Sequence, residues 1–172
     1  MTIDRSQTSL GQRIPALDHD KPGYDREVDS VKSDDIHPAV IQTAEVSITI
    51  AEMKAMRATP KTLVAAPGAG KLLEYLGAVF IYDYAAAFTE SSDDLAIRYT
   101  DGSGTVVSTT LDTTGLLDAS SDQIRTLKPL ATDVAMTANA ALVLHNTGDG
   151  EFGGTGSPCR VRIIYRVHDT NL

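Results

Sequence analysis

Between Cys159 and His168 the chain alternates in a way that leaves few folds open to it. Val161, Ile163, Tyr165 and Val167 occupy one parity, and Arg160, Arg162 and Arg166 occupy the other. Successive side chains of an extended strand point to opposite faces, so this segment reads as a strand with one buried and one wet face. A helix would scatter the same residues around its circumference. The period recurs elsewhere: Val46, Ile48 and Ile50 interleave with Glu45, Ser47 and Thr49, and Leu95, Ile97 and Tyr99 interleave with Ala96, Arg98 and Thr100.

Turn signals separate these strands from further ones. Thr62 to Ala65 is a brief strand that runs into the tight turn Pro67-Gly68-Ala69-Gly70. Leu72 to Tyr84 is the most apolar stretch, and it reads as a strand buried on both faces and bent at Gly77. After a polar loop from Thr89 to Asp94, the turn Asp101-Gly102-Ser103-Gly104 joins the strand at Leu95 to a partner from Thr105 to Leu111, a hairpin. Residues 112 to 140 form a long connection with a helical turn or short strand near Ile124 to Leu130. Ala141 to Asn146 is a strand, and Gly148 to Ser157 is a glycine-rich loop before the final strand. One short helix stands out: Thr49 and Glu52 make a capping box before Ala51 to Arg57, and Pro60 stops it after about two turns, with Met53 and Met56 facing the core. With seven or eight strands and no alternation of strands with helices, the expected class is all-β, an antiparallel sandwich of jelly-roll or Greek-key kind.

Residues 1–43 differ in composition from the rest of the chain. They carry Pro15, Pro22, Gly23 and Pro38, mixed charges, and scattered apolar residues such as Ile14, Leu17 and Tyr24. Such a segment buries too little apolar area to offset its ordering entropy, so the expectation is an extended polar arm on a sandwich of residues 44–172. At 172 residues and 42% apolar, the whole chain can build a core without a covalent staple. Its net charge of -8 argues against binding the nucleic-acid backbone. No apolar run approaches the roughly 18 residues that cross a bilayer, and no signal core follows Met1, so assembly in a cytoplasm is expected.

Chemical motifs are weak throughout. Gly70-Lys71 ends like a phosphate loop, but Ala65 stands where that loop needs glycine and Leu72 where it needs a hydroxyl. Asp93 with Asp94, and Asp149 with Glu151, do not follow the spacing of a calcium loop. Cys159 is the single cysteine and, like His145 and His168, falls inside a strand, while no serine occupies a nucleophile elbow. The expectation is therefore a non-enzymatic chain with no cofactor and no metal. The stripe of Arg160, Arg162 and Arg166 either pairs with acids on adjacent strands or contacts an acidic partner.

Several stretches carry a resemblance: Ala51 to Lys71, Phe88-Thr89-Glu90-Ser91, Tyr99-Thr100-Asp101-Gly102, and Leu142 to Glu151. Their wording, over about residues 44 to 168, resembles a group of small phage and prophage structural proteins. That resemblance implies a virion protein of the capsid decoration, or cement, type with a jelly-roll-like domain, bound to the major capsid protein and to copies of itself, with a trimer favoured. Ile14, Leu17, Tyr24, Arg160, Arg162 and Arg166 are the candidate contacts, with no direct role for nucleic acid or membrane. A tail or head-fibre component with a host-surface-binding domain is the alternative, and a small hydrolase using the glycine-rich loop is a third reading.

Overall fold

The computed structural model describes residues 40–89 and 93–170. In chain order the elements are β1 (Ile41–Ile48), α1 (Ile50–Lys54), β2 (Lys61–Val64), β3 (Lys71–Tyr82), β4 (Phe88–Thr89), β5 (Asp94–Tyr99), β6 (Leu111–Asp112), β7 (Gln123–Leu127), β8 (Leu142–Asn146), β9 (Gly153–Gly154) and β10 (Cys159–Asp169). Two four-stranded antiparallel sheets, ordered β1-β10-β3-β7 and β2-β8-β5-β6, form a sandwich, and β4 pairs with β9 beside them. Apart from that small pair, successive strands switch sheets at every step except β5 to β6. This order is that of a jelly roll, two interlocked Greek keys, and it agrees with the class expected from the alternating pattern.

The parity rule accounts for the core. On β10 the alternate residues Cys159, Val161 and Ile163 are fully buried, and on the facing sheet Leu95, Ile97, Leu142 and Leu144 are too. Leu127, Leu116 and Leu117 close the same cluster. β1 is registered with β10 along its whole length, from Ile41 opposite Arg166 to Ile48 opposite Cys159. Pairing therefore begins at Ile41, ahead of the expected change of character at Ala44.

β3 departs from expectation in an instructive way. Leu73 and Tyr75 face inward, and so do Ala78, Phe80 and Tyr82, although the two sets differ in parity. The switch is a β-bulge: Ile164 pairs with Gly77 and Tyr165 with Tyr75, leaving Leu76 as the extra residue. Gly77 takes φ of +152°, which favours glycine, so the bend falls at the expected residue. The other face is not buried as expected: Leu72, Leu76, Val79 and Ile81 are only half-buried. That face is the open outside of the sheet, where Ile81 lies in register between Arg160 and the exposed Ile124.

Three further expectations are corrected. The helix is five residues long, because the chain turns after Lys54, although the Thr49–Glu52 capping box forms and both Met53 and Met56 are buried. Thr105 to Leu111 is not a continuous strand; the Ser108 hydroxyl takes the Ile97 N–H at 2.8 Å in place of a backbone carbonyl, and regular pairing resumes only at Leu111. Asp93, expected in a polar loop, is fully buried. In the connection after residue 112, where a helical turn or a short strand was expected, the structure has the strand, β7. Among the described residues no helix is long and apolar enough to cross a membrane.

Candidate functional site

Strand alternation places Arg160, Arg162 and Arg166 together on the outer face of the β1-β10-β3-β7 sheet, and the neighbouring strands present acids to them. Glu45, at the middle of β1, accepts from Arg162 at 2.7 Å and from Arg160 at 3.3 Å. Arg160 reaches the other way as well, donating from Nε and Nη2 to the Asp83 carboxylate at 2.9 and 3.0 Å. Arg166 meets Glu74 of β3 at 3.2 Å, and His168 Nε2 lies 2.8 Å from the same carboxylate oxygen.

The electrostatic consequences come from that geometry. The Arg162 and Arg160 guanidinium groups hold the Glu45 carboxyl below its ordinary range, and Arg160 does the same to Asp83. Each pair is partly exposed, so its worth as an isolated contact is small. Their arrangement matters more than their strength. Glu45–Arg160–Asp83 ties β1, through β10, to the residue that follows β3. The arginines thus have acid partners within their own sheet, which is the first of the two roles the sequence left open.

The other residues singled out by sequence are dispersed. Ile14, Leu17 and Tyr24 lie outside the described residues. Cys159 is fully buried on the inner face, and burial pushes its thiol up to about 12. Glu151 is not poised for a cation: its two carboxylate oxygens accept the backbone N–H groups of Arg57 and Ala58 at 2.9 and 2.7 Å. Among the described residues no group of three or more His, Cys, Asp or Glu side chains could hold a metal ion. Gly68 and Gly70 adopt positive φ in a plain turn, with Lys71 N–H donating to the Gly68 carbonyl at 3.3 Å before β3 begins.

Sequence reasoning missed one feature. On the outer face of the second sheet, Arg98 of β5 and His145 of β8 face a cleft of about 540 Å³ that Arg57 also lines. The pattern gave Arg98 and His145 as strand residues, but the walls come from segments far apart in the chain, which periodicity does not connect.

No family model matches the chain, and no curated protein does. Among solved structures it is similar to a chain of the cyanophage Pam1 capsid asymmetric unit, at 13% identity and a TM-score of 0.42, over 74% of this chain and 83% of that one.

Proposed function

We propose that this chain is a structural protein of a bacteriophage virion, a decoration protein that binds the capsid lattice through residues 1–39 while the jelly roll forms its projecting body. The observation that carries the reading is where the polar segment joins the fold. It leads in sequence directly into β1, the edge strand of its sheet. The strand it enters is gripped by an eight-residue ladder and by the Arg160–Glu45–Arg162 contacts. An appendage rooted in this way can hold a partner while the domain stays folded, and many weak contacts along it add through effective concentration. Jelly rolls serve capsids, lectins and enzymes alike, so the fold alone does not assign the role. What favours the virion role among them is the resemblance of residues 44 to 168 to small phage structural proteins.

Under this reading the partner is the major capsid protein, with self-association as a trimer, and the location is the virion surface. The test is the copy number of the chain in purified virions against the major capsid protein. A one-to-one ratio or a simple lattice fraction supports decoration, a handful of copies supports a tail or head-fibre place, and absence from virions overturns the structural reading. Removing residues 1–39, which leaves β1 intact, is expected to give a folded domain that no longer binds capsids.

A further inference from the structure

The cleft on the outer face of the second sheet has an unusual charge balance for so acidic a chain. Ala96 pairs with His145 and Arg98 with Val143, so Arg98 and His145 lie on the same outward face of β5 and β8. Segment 57–60 and the turn at 101–103 fold over that face and form the walls. The turn can lie this close because residue 102 is glycine: a Cβ there would come within 2.6 Å of His145 Nε2. The Arg98 Nη1 donates to the Gly104 carbonyl at 3.1 Å, which fixes the guanidinium against the turn.

The acids near the cleft accept backbone N–H groups, and Asp101 is the carboxylate in its lining, against the two cations Arg57 and Arg98. Both oxygens of Glu151 take backbone N–H groups of segment 57–58, and Asp101 Oδ1 takes the Ser103 N–H at 2.8 Å. Among the described residues neither Arg57 nor Arg98 has a carboxylate within ion-pair distance, whereas Arg160, Arg162 and Arg166 all do. Arg98 Nε is also buried with no hydrogen-bond partner among the described residues, while His145 is met by the backbone of Arg57. Buried polar atoms in native proteins are nearly always satisfied by protein, by ordered water or by an ion. Burial, together with the neighbouring Arg98 charge, lowers the pKa of His145, so the ring is neutral near neutral pH and the positive charge of the cleft comes from the arginines.

We propose that this cleft is an oxyanion-binding site, with Arg57 and Arg98 as the paired guanidinium donors and a carboxylate or phosphate group as the ligand. Guanidinium forks match both groups in bidentate geometry, and charge-assisted bonds to a partly desolvated arginine are the stronger kind. The volume of about 540 Å³ accommodates a group larger than a bare ion, such as an acidic sugar.

The test is an NMR titration of the full chain at constant ionic strength, following the Arg98 Nε–H and His145 ring signals. Inorganic phosphate and glucuronate serve as the two probes, which separates a phosphate source from a sugar carboxylate. Saturable shifts at both residues are expected with at least one probe, at roughly millimolar affinity. Arg57 is exposed and its guanidinium makes no hydrogen bond or ion pair among the described residues, so Arg57→Gln should keep the melting temperature and weaken binding about tenfold or more. Linear, non-saturating shifts with both probes, or unchanged affinity in Arg57→Gln, overturn the proposal. Arg98→Gln is the second variant. Loss of the saturable shift at His145 with the fold intact supports the site, and unchanged affinity counts against it.

Discussion

Ser157 offers a sharp test of how the corner of the sandwich is held. Its side chain is fully buried, and its Oγ accepts the N–H groups of Ala85 and Ala86, each at 2.8 Å, while donating to the Ala86 carbonyl. The Tyr82 hydroxyl shares its one proton between the same carbonyl at 2.7 Å and that of Leu117 at 3.0 Å, so the Ser157 hydroxyl, on the approach to β10, helps to organise the turn that leaves β3. Ser157→Ala removes the acceptor and strands two donors. Ala85 lies at the surface, where water replaces the lost partner cheaply, whereas Ala86 is half-buried. The cost is therefore closer to one unsatisfied donor than to two, about 1–3 kcal/mol. In urea, with an m-value of about 1.5 kcal/mol/M, the midpoint should fall by roughly 0.7–2 M at constant slope. Asp122→Ala is the matched control. Its Oδ1 accepts the neighbouring Tyr84 N–H at 2.8 Å in an exposed setting, and its loss should cost under about 1 kcal/mol. Equal midpoints for Ser157→Ala and the unaltered protein, or equal losses for the two variants, would refute the reasoning.

Four other outcomes are expected. Gly77→Ala should destabilise by about 1–3 kcal/mol through backbone strain alone, because the nearest atom to an added Cβ, the Leu127 carbonyl oxygen, is 3.8 Å away; a neutral substitution would contradict the bulge. Thr49→Ala should cost about 1 kcal/mol in urea unfolding by removing the cap of α1. The same cap gives an acid dependence. The Lys61 ammonium first, and then the Thr49 N–H, bring the Glu52 carboxyl from 4.5 to about 2, so its contribution is present above pH 4.5 and fades as pH falls toward 2. Glu52→Gln should flatten that part of the stability profile, and an unchanged profile would remove Glu52 from the account. Finally, Cys159 in the native protein should be alkylated at pH 8 no faster than the domain unfolds, read by mass spectrometry alongside circular dichroism; rapid labelling of a folded sample would show the core to be open.

Much of this fold was legible from one-dimensional pattern. Strict alternation located the inward set of β10, the capping box located α1, and Gly77 within an apolar run announced a bend, which the structure makes with a bulge. The pattern failed where side chains replace backbone in pairing or where burial is settled at long range. Ser108 interrupts a strand by offering its hydroxyl to Ile97, and no period marks that exchange. Asp93 reads as loop because it sits among polar residues, yet its backbone carbonyl takes the Thr113 hydroxyl and its side chain takes the Gly150 N–H at 3.3 Å. The arginine stripe was visible as a row of like charges, but its acids come from β1 and β3, far away in sequence. The cleft at Arg98 and His145 was invisible for the same reason, since Arg57 arrives from the α1–β2 connection and Gly102 from the turn after β5.

The placement of β10 governs how the molecule must be made. Its eleven residues lie between β1 and β3, and Arg160 alone reaches back 115 residues to Glu45 and 77 residues to Asp83. Of the described strands it is the last to leave the ribosome, so throughout translation β1 and β3 wait without the neighbour that belongs between them. Closure over such separations is slow, and each nascent chain meanwhile offers two bare strand edges to whatever is being synthesised beside it. A chain stalled anywhere before Cys159 would thus be a partner for aggregation rather than a smaller version of the fold, and the yield of native protein should depend on how quickly β10 is released.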